Sequence, residues 1–506
     1  MSEHSQTAGD LRPAVLAPGW FWVGCAIVIG ATAIRVAGLS SELPFVYHPD
    51  EPTVLTIVHR MLLNGDANPG AFNYPSLFYY VHALGQMAVR AIDGDLLPFV
   101  RQLGNSYTPQ PEAFLVGRAI TVCFGVGAVI ATIVMARDIG LSRSATLLAG
   151  ALAASNPLLV AHSRMISPDV PAAFFCTLAL VTAVHVLKSG SVSAYVFGGI
   201  MTGLAAGMKY NAGLVGIGIA AAHFLREPRD AVQFSLLALS GALSIAVFLL
   251  TSPFIILDFA RASNGILAEF HHYQTGHPGF EGDAWKFNLI WLWQAFGAAL
   301  LLAPLATLHP ARKEIWIVWA FVAAYLALIS AQVVRFDRNL MPIVPRLTVL
   351  VAGGFDALLV YARPWIARPR TMGFLCAAFA VIILLPGMSG SLVETAARYR
   401  DPRKEVRDWI NQHVAPETSI LMDSYGPYLD PKTHKITTAF LILQQPMSAL
   451  IQYDMVVVTR QGSGRLLVDE RSEPHETLRE LGVRACARQE FKNGTTTDFW
   501  VFRLRC

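Results

Sequence analysis

The stretch Tyr74-Pro75-Ser76-Leu77-Phe78-Tyr79-Tyr80 opens an apolar run over 77–91 that is close to the length needed to cross a bilayer. Whether it crosses decides the sidedness of everything after it. Its start is crowded with aromatic rings, as in helices that lie at a membrane interface. A lying helix leaves the basic connections 137–143, 188, 226–229, 312–313 and 363–370 together on one side of the membrane. A spanning helix would put them outside, against the bias of Lys and Arg toward the cytoplasm. We therefore read 77–91 as a helix on, or dipping into, the outer interface.

The surrounding chain is apolar. Its 506 residues are 54% hydrophobic and 15% charged, with mean hydropathy +0.46. A soluble domain carries roughly 25% charged residues. The net charge of +4, from 39 basic and 35 acidic residues, is too small to argue for nucleic acid, and no basic run adds to it. Apolar segments fall at 20–38, 118–136, 145–161, 170–187, 194–208, 212–225, 234–257, 289–308, 315–331, 340–361 and 371–388. That predicts about eleven transmembrane helices. The first is long for a signal-peptide core and lacks a small-residue cleavage site, so it reads as a retained helix.

The basic connections hold about ten Lys and Arg, against about four in the opposite short loops, which puts them and the N-terminus in the cytoplasm. The expected fold is an α-helical polytopic membrane protein in the plasma (inner) membrane, with a small C-terminal extracytoplasmic α/β domain. Residues 1–389 form the membrane module, with a long first outer loop over 39–117, and 390–506 form the outer domain. In that domain, 401–413 has a helical pattern that puts Val406, Trp409, Ile410 and Val414 on one side. Strand-like runs follow at 419–422, 454–459 and 499–504. Cys25, Cys123, Cys176 and Cys376 sit in apolar runs, and no CxxC pair points to zinc. Cys486 and Cys506 stand apart in an oxidising compartment, where a disulfide is expected; two separate thiols are the alternative.

Chemistry concentrates in the outer loops. Tyr47-His48-Pro49-Asp50-Glu51-Pro52 sets two carboxylates between prolines. The prolines hold the backbone extended, so Asp50 and Glu51 should point opposite ways. Neighbouring half-buried carboxylates shift each other's pKa, which suits acid/base work. The bland alternative is an acidic helix N-terminus. The other outer candidates are Arg118, Arg164, Asp169, Lys209, His271, His272, His277, Glu281, Arg335 and Arg338, with Tyr74 and Tyr210 beside them. Charges kept next to membrane spans are usually functional. Each also has a plainer role: Arg118 and Arg338 as snorkelling anchors, Asp169 as a helix cap, Lys209 as an interfacial lysine. The spacing of His271, His272, His277 and Glu281 matches no compact zinc signature, so substrate or loop roles are favoured and no metal ligand is assigned.

The ordered set resembles a family. An Asp-Glu pair in a long first outer loop precedes a Tyr-Pro-Ser-Leu segment. An Arg then opens the second span, Ser-Arg…Asp precedes the fourth, and Gly-Leu-Ala-Ala-Gly-Met-Lys-Tyr and Arg…Arg-Asn-Leu-Met-Pro come later. This is similar to the C-type glycosyltransferase superfamily, nearest to protein O-mannosyltransferases and lipid A aminoarabinose transferases. The resemblance covers roughly the first 350 residues. It implies Asp50 as the base that takes the acceptor's proton, Glu51 as its companion and Asp169 as a second acid on the same cavity. It places Arg118 at the rim of the second span, and Lys209, Arg335 and Arg338 on the phosphate of a polyprenyl-phosphate sugar. The mannosyltransferases usually carry His-Pro-Pro-Leu where this chain has Tyr74-Pro75-Ser76-Leu77. Some branches use a divalent ion and others none, so the cofactor stays open.

The expected function is transfer of a sugar from a polyprenyl-phosphate donor to a hydroxyl of a glycan, lipid or protein at the outer face, with inversion. A lipid donor also accounts for the lack of any Gly-rich phosphate loop. A transporter or lipid flippase is the alternative. It would place charges near mid-membrane on broken helices and often show two related halves.

Overall fold

The computed structural model describes residues 18–94, 100–101, 106–227, 231–277, 280–365, 369–467, 470–493 and 496–506. Among them, eight helices are long and apolar enough to span a membrane: Gly19–Val36, Glu112–Ile139, Asp169–Ser189, Gln233–Thr251, Ala284–Leu308, Lys313–Ser330, Val344–Ala362 and Gly373–His413. The three other expected crossings are shorter or broken. Val192–Met208 and Tyr210–Leu225 are short apolar helices, and Arg143–Ser155 is followed by Pro157–His162.

The break at Asn156-Pro157 has a clear cause. Pro157 has no N–H to return to the carbonyl of Ala153. Arg35, buried on the first helix, donates instead to the carbonyls of Ala153 at 3.1 Å and Ala154 at 2.9 Å. Asn156 accepts from the N–H groups of Leu158 and Leu159 and so restarts the helix. Arg35 thus holds backbone carbonyls that lipid cannot satisfy. Val192–Met208 packs on Ala231–Thr251 through small residues. A Cβ on Gly199 would lie 2.4 Å from the Ser240 carbonyl oxygen, and one on Gly203 would lie 2.6 Å from that of Ser244. Such close backbone approach is how membrane helices gain packing without a hydrophobic driving force.

Helix Ser76–Asp93 does not reverse the chain. Arg118, near the start of the next long helix, donates to the Leu39 and Ser41 carbonyls at the end of the first. The region between therefore leaves and re-enters the bundle at one end. The opposite end gathers basic connections: His185 meets Asp138 at 2.8 Å, and Lys188 reaches Glu314 at 4.0 Å.

The last long helix, Pro369–Tyr399, runs past residue 389 into the second domain. There Pro402–His413 lies against a five-stranded sheet. Strand Ser419–Asp423 pairs parallel with Lys435–Ala439 on one side and Met455–Thr459 on the other. Thr496–Arg503 and Ala487–Asn493 complete the sheet antiparallel. Alternate side chains divide between two apolar layers. Ile420, Met422, Val457 and Val501 pack with Val406 and Ile410, while Leu421, Val456, Val458 and Phe502 pack with Leu481. The strand 435–439 was not foreseen, because Lys435-Ile436-Thr437-Thr438 occupies an exposed sheet edge and lacks an apolar run. Cys486 and Cys506 are joined by a disulfide, Cα to Cα 6.2 Å.

The second domain rests on the first loop. Arg403 pairs with Glu42 at 2.9 Å and lies 3.9 Å over the Tyr47 ring; Arg407 lies 4.2 Å over Phe45. Tyr428 stacks on Tyr107.

Candidate active site

The two adjacent carboxylates begin a helix. Asp50–Asn64 starts directly after Pro49, whose φ of −67° and ψ of −26° are helical. The extended backbone expected for this stretch is thus corrected: proline's fixed φ suits the first turn as well as an extended chain. Pro49, at the cap position, makes no side-chain cap hydrogen bond. The two side chains still diverge, because successive helical residues are turned by about 100°.

Asp50 meets Arg338 at 2.5 Å across 288 residues, with 34% and 23% of their side chains exposed. Burial raises the Asp50 pKa, but the adjacent Arg338 outweighs it and holds the carboxyl below its usual range. Burial also works against the charge on Arg338, and Tyr74, Asp50, Tyr273 and Asp169 around it keep it protonated. Next to this pair, Lys209 donates to Asp169 at 2.6 Å and to Asn339 at 2.8 Å. Lys209 follows the last residue of its helix, where the backbone turns extended, and that turn aims the ammonium across at Asp169. Arg338, Lys209, Tyr74, Tyr210, Tyr273 and Glu269 line a cavity of about 170 Å³. Tyr210 is anchored by its hydroxyl to the Phe72 carbonyl at 3.1 Å.

Glu51 faces the other way. It forms a two-point pair with Arg118 at 2.9 and 2.7 Å, fully buried, and also accepts from the Ile166 N–H at 3.1 Å. Arg164 is not brought to the cavity. Its guanidinium is buried against Glu394 at 2.6 Å, Thr395 and the Ile34 carbonyl, which ties the last long helix to the first. The expected substrate role for Arg164 is corrected on that ground. The His-rich loop forms a rim. His272 and His277 meet ring to ring at 5.1 Å, and His277 packs among Phe280, Phe336 and Phe440 of the second domain, while His271 is exposed. Glu281 bridges to Val334, and Arg335 lies 5.3 Å over Phe287. Among the described residues, no three His, Cys, Asp or Glu side chains converge as a metal site.

Sequence reading missed Glu269. It lies on the amphipathic helix Phe259–Thr275 and reaches into the cavity, where burial raises its pKa. Its signal was faint: one acid amid polar residues on a helix assigned to loop. Asn339 was overlooked beside the more conspicuous Arg338.

The fold is shared with solved membrane glycosyltransferases, the likeness expected from the motif order. A family model for dolichyl-phosphate-mannose-protein mannosyltransferase matches residues 93–263, which include Arg118, Asp169 and Lys209. ArnT from Cupriavidus metallidurans bound to undecaprenyl phosphate is similar with a TM-score of 0.54 at 15% identity, over 96% of this chain and 98% of that one. Its apo state gives 0.51 over the same shares. The Archaeoglobus fulgidus oligosaccharyltransferase in its apo form gives 0.50 at 12% identity, over 88% and 70%. No curated protein matches the chain by sequence.

Proposed function

We propose that the chain is a membrane glycosyltransferase that moves a sugar from a polyprenyl-phosphate donor to an acceptor hydroxyl, with inversion. The observation that carries this reading is the Asp50–Arg338 pair, whose Arg338 lines a cavity together with Lys209. A donor phosphate entering the cavity takes Arg338 as its counterion, in place of Asp50. Asp50 then loses the charge that depressed its pKa and becomes a competent base. It accepts the acceptor's proton as that oxygen bonds to the anomeric carbon. The bond from that carbon to the phosphate oxygen breaks, and the lipid phosphate leaves with one more negative charge. Arg338 and Lys209 stabilise that charge. Asp169 and Asn339 hold Lys209 in position. Glu51 and Arg118 are the support beneath, fixing the helix that presents Asp50.

The cavity faces the outside of the plasma membrane in this reading, because the basic connections lie at the opposite end. A C-terminal tag should be reached by an impermeant reagent in intact spheroplasts; protection of the tag would reverse the topology. The activity is tested with purified protein and a sugar-labelled polyprenyl-phosphate donor. Release of labelled sugar, or its transfer to an added membrane extract, is the expected result. A donor that stays intact with every acceptor fraction, while still binding, would count against catalysis.

A further inference from the structure

The five-stranded sheet has an unused crevice. In chain order its strands lie 2-1-3-5-4, and the first three are parallel. The chain leaves strand Ser419–Asp423 toward one side and returns on the other at Met455–Thr459. In open α/β sheets, ligands bind outside the carboxyl ends of strands at such a switch point. Here the two loops at that end are built to approach each other. Asp423, fully buried, accepts from the Tyr425 N–H at 2.9 Å and from the Ser463 hydroxyl at 3.1 Å. Only glycine fits at position 462, where a Cβ would lie 2.1 Å from the Asp423 carboxylate.

That end of the sheet points at the membrane module. Thr459, Arg460 and Gln461 line a cleft of about 920 Å³ whose other wall is Arg398, Arg400 and Arg403, at the end of the last long helix and just beyond it. Among the acids in the cleft, Glu394 holds Arg164 and Arg398, Glu42 and Asp401 hold Arg403, and Asp498 lines it as well. Arg400 and Arg460 are exposed, and among the described residues neither has an acidic partner. Past Arg398, Arg403 and Gln461 the cleft adjoins a smaller cavity of about 230 Å³ that ends at His48 and Glu51. His48 accepts the Asp50 N–H at 3.3 Å, so this second cavity reaches the back of the stretch whose front faces Arg338 and Lys209.

We infer that this cleft is the acceptor site, and that the acceptor carries a phosphate group held by Arg400 and Arg460 while its hydroxyl extends past His48 toward Asp50. The inference rests on the proposed transfer reaction for the word acceptor; the phosphate site stands by itself. Two arginines that line one cleft, without an acidic partner among the described residues, suit a phosphate, which each can bind through charge-assisted hydrogen bonds.

The test uses the full chain in neutral detergent micelles, with phosphatidic acid in the micelles as one probe and inorganic phosphate as the other. Binding is followed by titration calorimetry. In Arg400→Gln/Arg460→Gln, binding should weaken by about tenfold or more, and Arg400→Lys/Arg460→Lys should keep most of it. Undecaprenyl phosphate, read as donor-site binding, should be unaffected by the double Gln change and weakened by Arg338→Ala. Response to phosphatidic acid alone assigns a lipid-borne phosphate. Equal response to inorganic phosphate, lost in the same double variant, assigns a soluble phosphorylated acceptor. Either supports the site. Absence of binding by both probes, or binding that the double Gln variant keeps in full, overturns it. If the site is found but no sugar ever leaves a polyprenyl-phosphate donor, the proposed reaction fails and the phosphate site does not.

Discussion

Asp50 and Glu51 are neighbours in sequence, and each pairs with an arginine at 2.5 and 2.7 Å, yet the two pairs differ in kind. The Glu51–Arg118 pair is buried at the end of the smaller cavity, with 0% and 2% of the side chains exposed, and its remaining hydrogen bonds go to backbone. In the Asp50–Arg338 pair, Arg338 lines a cavity and a third of the Asp50 side chain is exposed. A buried ion pair resists exchange, because parting it leaves an uncompensated charge in a low dielectric. A partly exposed pair can trade partners with an incoming anion at little desolvation cost. One carboxylate is thereby a fixture of the fold and its neighbour is available for chemistry.

Four experiments break or sharpen that contrast. The largest effect is expected from Asp50→Asn, which keeps size and hydrogen bonding but removes the base. Sugar transfer should fall by roughly 10²- to 10⁴-fold with donor binding retained. Near-normal turnover in that variant would remove Asp50 from the mechanism. Glu51→Gln should do the opposite, costing about 3–5 kcal/mol of stability by stranding Arg118, with the surviving folded protein still active. Thermal or denaturant unfolding in micelles reads this directly, and an unchanged midpoint would mean that the buried pair contributes nothing.

Arg338→Ala should weaken donor affinity by at least about tenfold, since a charge-assisted contact to phosphate is lost. Unchanged affinity would put the phosphate elsewhere. The smallest effect concerns pH. The Asp50 pKa is lowered in the folded protein, so its contribution to stability is present above the unfolded value and is lost as pH falls through the folded one. Wild type should therefore lose more stability than Asp50→Asn as pH drops below roughly 4. The difference is modest, because the pair is partly solvated. Parallel curves for the two proteins would show that Arg338 does not bias Asp50.

The sequence by itself determined the membrane class, the gathering of the basic connections at one end of the bundle and the separate α/β domain. All three follow from local quantities: stretches of apolar residues, basic residues counted loop by loop, and a change of composition near Arg398. It also singled out Asp50, Asp169, Lys209 and Arg338, because charges beside membrane spans are few. Only the tertiary structure decided which charge meets which. Arg118, Arg164 and Arg338 read alike in sequence, as basic residues at the ends of spans. One is buried against Glu51, one ties two helices together through Glu394, and one faces Asp50 and lines a cavity. Glu269 shows the same limit from the other side, since nothing in its neighbourhood along the chain shows that it turns into that cavity. Partner choice among like charges depends on contacts between residues up to 288 positions apart and on the solvent left around them, and neither is written in local sequence.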